Sequence, residues 1–330
     1  MRKIRYVALG VITLGAVIVS LICGRFGLTI ADIVEICSGR CEDTMKTAVF
    51  LKIRLPRTVM AFISGMALSL AGWLYQSIFM NTLVSPDVLG VSGGCSIGAI
   101  AMILAGQSGE FIQGGAFIGG IITVLITLAL ARAIGRHGSI SMLLAGIVIG
   151  ALANSMIMLM KYAADPHGEL AAIEYWLMGS LHAAGWEQLR AVLPFVLPCI
   201  ATVLLLAHPV RLLYFGDDEA RSMGVPVPFV KYLSLIAATG MVAGVVAVCG
   251  SISWLGLIVP HICRIAGGER RGTPFEVCLA GGALLTIADV LARSLTSSEI
   301  PISIITSFMG ATFLVIVMLV RAARNGRSAL

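Results

Sequence analysis

Charged residues are scarce in this 330-residue chain. They make up 12% of it, and hydrophobic residues make up 58%, with a mean hydropathy of +0.98. A soluble domain carries about a quarter of charged residues, so this chain has too little polar surface to cover a folded core in water. The composition excludes an ordinary soluble domain and indicates an integral membrane protein.

Three further absences narrow the class of function. No block of like charge and no cluster of basic and aromatic residues indicates nucleic-acid binding. No G-x-x-x-x-G-K-[ST] phosphate loop occurs, so the sequence lacks this motif for binding ATP. No low-complexity linker divides the sequence. We therefore expect one membrane domain over 1–330, without a cofactor or metal of its own.

Long apolar runs recur along the whole chain and predict an all-α membrane protein. A helix needs roughly 17–25 apolar residues to cross the hydrocarbon of a bilayer, and a helix bonds all its backbone groups within its own segment. Pro260 interrupts the eighth run. The runs predict about ten helices, over residues 5–23, 56–80, 92–106, 114–134, 140–163, 191–207, 229–249, 255–267, 274–294 and 301–321.

The first run allows two interpretations. Residues 1–22 have the basic start and apolar core of a signal peptide, and a cysteine follows at position 23. Ile22 is too large for the small residue that such a cleavage site needs. Because further apolar runs follow, we favour an uncleaved first helix.

The distribution of basic residues predicts cytoplasmic N- and C-termini. That orientation places fourteen of the 23 lysines and arginines on the inner side and nine on the outer side. Three of the nine lie in "LKIRLPR", directly before an apolar helix: Lys52, Arg54 and Arg57. Basic residues that break the rule at a membrane face suggest a function.

Five polar motifs interrupt the apolar sequence in a fixed order. They are "RLPR" followed by "NTLVSPDVLGVSGG", "EYWLMGSLHAAGW", "FGDDEARSMGV", "GSISWLGLIVPHICR", and "ADVLAR" followed by "SEIPISIITSFMGA". Together these motifs resemble the FecCD family, whose members are permease subunits of bacterial ABC importers for iron-siderophores, haem and vitamin B12. The chain departs from the family at Thr82 and Thr312, where proline is usual.

The resemblance spans about residues 50–325 and implies an architecture and a set of partners. The implied fold is BtuC-like, the type II importer fold, with inverted repeats. Two copies of the chain would enclose the pathway in a bacterial inner membrane. Two ATP-binding subunits would carry ATP and Mg²⁺, and an extracytoplasmic binding protein would deliver the substrate. A ferric siderophore is the expected substrate, with haem, cobalamin or an oxyanion as alternatives.

The resemblance also assigns roles to three arginines and one aspartate. Arg54, Arg57 and Arg293 match residues that meet acidic side chains of the binding protein. The alternative from the residues themselves is that these arginines reach lipid phosphates. Asp289 lies four residues before Arg293, which predicts a structural i,i+4 ion pair rather than a proton relay.

The segment "FGDDEARSMGV" matches the family's coupling helix, which contacts the ATPase. Carboxylates suit the first turn of a helix, because they meet the positive end of its dipole. The alternative is a capped turn between two spans. The residues predicted to couple are Gly216, Asp217, Asp218, Glu219, Ala220, Arg221 and Gly224.

In the family, the helices that correspond to the fifth and last apolar runs line the pathway, so the resemblance implies pathway candidates in the fifth run. Asn154 and Ser155 are polar residues among methionines, and Ser139 lies near the position of the family's inner gate. Hydrogen bonding between helices explains the same residues equally well. Cys37 and Cys41, in a polar loop, are expected to form either a disulfide or two free thiols.

Two rival classes remain open at this point. An ion-coupled secondary transporter would need an unpaired acid inside the membrane or a broken-helix ion site, and Asp289 is expected to be paired. A receptor or scaffold agrees with the composition, but not with the ordered series of motifs.

Overall fold

The structure, a computed structural model, describes residues 2–134, 139–267 and 272–327. Within these ranges the secondary structure is helical, without strands. A π-helical segment, Val49–Arg54, joins α3 to α4, and a 3-10 turn, Pro86–Leu89, precedes α5. The α-helices are α1 Arg2–Ile22, α2 Ile30–Cys37, α3 Thr44–Ala48, α4 Leu55–Ile78, α5 Val91–Leu104, α6 Glu110–Ala133, α7 Ser139–Ala163, α8 Glu169–Leu177, α9 Trp186–Leu205, α10 Ala207–Leu213, α11 Asp217–Ser222, α12 Val227–Cys249, α13 Leu255–Gly267, α14 Pro274–Ser294 and α15 Ile302–Arg327.

The prediction of about ten apolar helices is confirmed. Eight helices in the described ranges are long and apolar enough to cross a membrane: α1, α4, α6, α7, α9, α12, α14 and α15. The shorter apolar helices α5 and α13 complete the ten. Each matches one predicted run to within a few residues at either end, except at the start of α9 and the end of α15.

The helices differ sharply in how much of their surface the chain itself covers. In α4, α12 and α14, 78%, 72% and 67% of the most apolar 18-residue stretch is buried inside the chain. In α7 the share is 22%, and in α1 and α15 it is 17%. The first three helices therefore form the centre of the bundle, whereas the last three present apolar faces to lipid or to another protein.

Glycines allow the central helices to approach each other closely. Gly65 of α4 lies against Gly281 of α14, and Gly72 of α4 lies against Gly256 of α13. A side chain at these positions would strike the backbone of the neighbouring helix. In lipid, helices are not held together by the hydrophobic effect, so their association depends on close packing. Small residues at the contact permit this packing.

Two pairs of glycines spaced G-x-x-x-G, Gly115/Gly119 and Gly240/Gly244, serve packing within the chain. Gly115 and Gly119 lie against the backbone of α5, and Gly240 and Gly244 face side chains of α9. Packing between helices of one chain therefore explains these glycines, and no contact between two copies of the chain is needed.

The first helix is an integral part of the bundle. Arg5 forms an ion pair with Glu276, and the hydroxyl of Tyr6 lies 3.4 Å from that of Thr273. At its other end, the hydroxyls of Ser20 and Thr58 are 2.8 Å apart. These contacts fix α1 along α14 and favour its interpretation as a spanning helix.

Candidate functional site

Arg54 closes the end of α1. Its guanidinium group donates hydrogen bonds to the carbonyl oxygens of Leu21, at 2.8 Å, and of Ile22 and Phe26. The last carbonyls of a helix lack partners within the helix, and a cation there also meets the negative end of the dipole. Only 3% of Arg54 is exposed, so its hydrogen-bonding capacity is used inside the chain.

Arg57 joins two acidic residues from the other half of the chain. Its Nη2 donates to Asp289 Oδ1 at 2.8 Å, its Nε donates to the same oxygen at 3.0 Å, and its Nη1 donates to Glu299 Oε1 at 2.9 Å. Asp289 is fully buried. The planar fork of arginine suits such bidentate contacts with carboxylates.

Arg293 completes this group. Its Nη2 donates to the backbone oxygen and to Oγ of Ser20, at 2.7 and 2.8 Å, and its Nε lies 3.3 Å from Asp289 Oδ2. The expected i,i+4 ion pair is therefore present. Asp289 also binds Arg57 more closely, so one carboxylate serves two guanidinium groups. We call Arg54, Arg57, Asp289, Arg293 and Glu299 the arginine cluster.

The arginine cluster corrects one expectation from the sequence. Arg54, Arg57 and Arg293 were expected to face outward, toward a binding protein or lipid phosphates, but each is less than a tenth exposed. The ends of α1, α4 and α14 converge there, and each arginine satisfies a group of a neighbouring helix. In this structure the three arginines position helix ends, and their contact with a binding protein stays a prediction.

Glu299 is the member of the cluster that the sequence did not reveal as a partner of Arg57. Burial would raise the pKa of Glu299, but its hydrogen bonds with Arg57 outweigh that effect and lower the pKa below its usual value. Its Oε2 lies 3.7 Å from Nδ1 of the exposed His182. Glu299 therefore connects the buried arginines with the surface at this end of the bundle.

The predicted coupling segment lies at the opposite end, as the short helix α11. Gly216, at φ +117°, precedes the helix, and Gly224, at φ +82°, follows it. Within α11, Ala220 is fully buried, and Asp217 Oδ2 accepts a hydrogen bond from Lys231 Nζ of α12 at 2.7 Å. These contacts hold one side of α11 against α12.

The other side of α11 is free of the bundle. Asp218, Glu219 and Arg221 are exposed there. Phe215 and Met223, at the two ends of the segment, are 55% and 54% exposed. The segment thus presents charged residues between two apolar side chains, which is suited to contact with a protein.

The pathway candidates lie on α7, one of the least covered helices. Asn154 and Ser155 are both exposed, and Ser155 Oγ donates to the carbonyl of Ala151 at 3.0 Å. Ser139 is the first residue of α7, and its side chain lies outside the described part of the structure. The hydroxyl of Ser155 thus bonds within its own helix, so it lends no support to the expectation of hydrogen bonding between helices of the chain.

A family model described as the FecCD transport family matches residues 12–321. The chain belongs to this family. Among curated relatives, the vitamin B12 import permease BtuC of Citrobacter koseri is 38% identical over 267 residues, covering 79% of each chain. The molybdate import permease MolB of Haemophilus influenzae is 31% identical over 300 residues, covering 89% of each.

Two solved structures resemble this FecCD permease. An inward-facing metal-chelate type ABC transporter has a TM-score of 0.84 and 29% identity, and the match covers 97% of this chain and 99% of the other. PsaBC from Streptococcus pneumoniae, at 17% identity and a TM-score of 0.55, shares the fold alone. The FecCD permease is thus a multi-pass ABC importer permease with a BtuC-like fold, and the two rival classes no longer apply.

The FecCD permease contains a second buried polar group that the sequence did not predict. Arg264 Nη1 donates to Gln76 Oε1 at 2.6 Å, and Gln76 Nε2 donates to the carbonyls of Val84 and Gly256 at 3.3 Å. His261 Nδ1 lies 3.2 Å from Arg264 Nη2, in agreement with a packing role for this histidine. The group joins Gln76 of α4 to the start of α13, through Gly256, and to its second half, through Arg264.

The cysteines of the FecCD permease carry no crosslink. All eight, including Cys37 and Cys41, are free thiols in the structure. Within the described residues, no three histidine, cysteine or acidic side chains come together as they would around a metal ion.

Proposed function

We propose that this permease works as a homodimer that imports a metal chelate across the bacterial inner membrane, and that this chelate is a ferric siderophore. Two ATP-binding subunits bind at α11, and an extracytoplasmic binding protein delivers the substrate at the end that carries the arginine cluster. The exposure of Asn154 on α7 is the observation that supports a translocation pathway along this helix.

A polar side chain that faces lipid is costly, so Asn154 indicates that its face of α7 meets water or protein. It lies among apolar residues, and the methionines Met156 and Met158 are 47% and 69% exposed beside it. A second copy of the chain placed against α7 and α15 would cover both helices and leave a pathway on the two-fold axis.

The surface of α7 also bears on the class of substrate. Its exposed middle carries an amide, a hydroxyl and flexible methionines, but no charged side chain. Methionine surfaces adapt to ligands of varied shape, which suits a bulky chelate better than a small oxyanion. Uptake by proteoliposomes with the full importer, in competition among a ferric siderophore, haem, cobalamin and molybdate, tests this choice. Preference for molybdate would contradict it.

Replacing Asn154 with tryptophan is expected to lower substrate uptake at least tenfold, because the larger side chain would fill the pathway. ATP hydrolysis should continue, since the change is remote from α11. Leu14→Trp is the control, because Leu14 is 61% exposed on α1 and should tolerate the same side chain toward lipid. Equal uptake by both variants would place the pathway elsewhere.

The homodimer has a direct test in solution. The particle mass of the solubilised permease, corrected for detergent, should equal twice the 34.6 kDa of one chain. An active permease with the mass of a single chain would exclude a pathway between two copies.

The coupling role of α11 is supported by its position and by its exposed face. Replacing Gly224 with valine should uncouple ATP hydrolysis from transport, because a β-branched residue at φ +82° is strained by about 1–3 kcal/mol. No atom lies within 4 Å of the added Cβ, so the variant introduces no clash. The backbone strain alone should therefore reorient the segment. Uptake should fall at least tenfold while basal hydrolysis persists.

Gly39→Val provides the matched control for this variant. Gly39 has φ +71° and equally open surroundings, but it lies in the loop between α2 and α3. The same backbone strain should leave coupling intact there. Loss of coupling in both variants would show that strain alone, and not the position of α11, causes the effect.

A further inference from the structure

A groove of about 340 Å³ opens between α6 and α9. Both helices pack against α12, and Gly244, Ala247 and Val248 of α12 line the groove between them. The groove lies near the starts of α6 and α9 and the end of α12. It is therefore at the end of the bundle opposite α11.

The deep part of the groove is apolar. Phe117 of α6 and Phe195 of α9 approach within 5.2 Å between ring centroids and close its far end. Phe117 lies seven residues after Glu110, so the groove extends about 10 Å along the helix axis. Starting at the membrane surface, this distance passes the headgroup region and reaches the outer part of the hydrocarbon layer.

The mouth of the groove is acidic. Glu110 and Glu187 belong to the first turns of α6 and α9, and Gln113 and Gln188 lie beside them. No lysine or arginine is among the lining residues. A carboxylate in a first turn is favoured by the helix dipole, which explains each glutamate alone. It does not explain why both line the opening of one apolar groove.

From this arrangement we infer that the groove binds a phospholipid whose headgroup carries an ammonium group, of the phosphatidylethanolamine class. One acyl chain lies along Val248 and the two phenylalanines. The ammonium group meets Glu110 and Glu187 at the level of the headgroups and donates charge-assisted hydrogen bonds to their carboxylates. An anionic headgroup without an amine is repelled by the same two carboxylates. The bound lipid fills the gap between α6 and α9 that the chain leaves open.

The test uses the full-length permease in nanodiscs of equimolar phosphatidylethanolamine and phosphatidylglycerol. Lipids retained after mild detergent extraction are counted by native mass spectrometry. The wild type should retain one tightly held phosphatidylethanolamine per chain. In the double variant Glu110→Gln, Glu187→Gln, the preference over phosphatidylglycerol should fall at least about fivefold, the scale expected for two partly exposed ion pairs. The control Glu169→Gln removes a first-turn carboxylate outside the groove and should keep the preference.

A second variant tests the groove itself. Gly114 lines the groove, and a Cβ added there meets no atom within 4 Å, so Gly114→Leu should displace the lipid without disturbing the fold. Gly10→Leu, at an equally open glycine on α1, should retain it. Equal retention of the two lipids by the wild type, or unchanged retention in Gly114→Leu, would overturn the inference.

Discussion

Replacing Asp289 with alanine is expected to lower the free energy of unfolding by about 3–5 kcal/mol, the cost of removing one partner from a buried ion pair. Asp289 is fully buried and contacts both Arg57 and Arg293. Without its carboxylate, two buried guanidinium groups would lose their shared counter-charge. Glu299 would remain as the sole acidic contact of Arg57 within the arginine cluster.

The measurement is thermal or denaturant unfolding of the purified permease in detergent. Asp289→Asn separates charge from volume, because it keeps the shape of the side chain and should still be strongly destabilised. Glu174→Ala is the control: it breaks an ion pair with Lys161 in which both side chains are about a third or more exposed, and such pairs contribute at most about 1 kcal/mol. Similar losses for Asp289→Ala and Glu174→Ala would contradict the view that the arginine cluster depends on a buried charge.

Adding a single methyl group at Gly72 should have the second largest effect. In Gly72→Ala the new Cβ would lie 1.9 Å from the carbonyl oxygen of Gly256, a backbone atom that cannot rotate away. We expect a loss of stability at the upper end of the ~1–3 kcal/mol typical of overpacking, or above it. The shift would also disturb Gln76, which donates to the same carbonyl at 3.3 Å.

Gly10→Ala gives the comparison, because no atom lies within 4 Å of an added Cβ there. Alanine for glycine at an unstrained helical site stabilises by about 0.4–1 kcal/mol. The two substitutions should therefore change stability in opposite directions, as read from the unfolding midpoints of the purified variants. A stable Gly72→Ala variant with normal uptake would show that α4 and α13 can separate without loss of function.

The sequence by itself determined the number of apolar helices, the class of protein and the position of α11. These features are local: whether a run of residues can cross a bilayer depends on its own length and hydropathy, and a short helix can be recognised from its first-turn acids and flanking glycines. The five ordered motifs then identified the FecCD family. The partner of Asp289 four residues along the helix was predictable for the same reason, since i,i+4 neighbours meet on any helix.

Only the tertiary structure showed which groups Arg54, Arg57 and Arg293 contact. Arg57 and Glu299 are 242 residues apart in sequence, and nothing near either residue indicates their contact. Arg54 was expected to face outward because of the family resemblance, but the end of α1 and the residues after it cover Arg54 and supply the carbonyls that it binds. Burial and pairing depend on which helix ends converge, and that is fixed by packing between distant segments. The same packing places Gly72 against Gly256 and brings Glu110 and Glu187 to one groove.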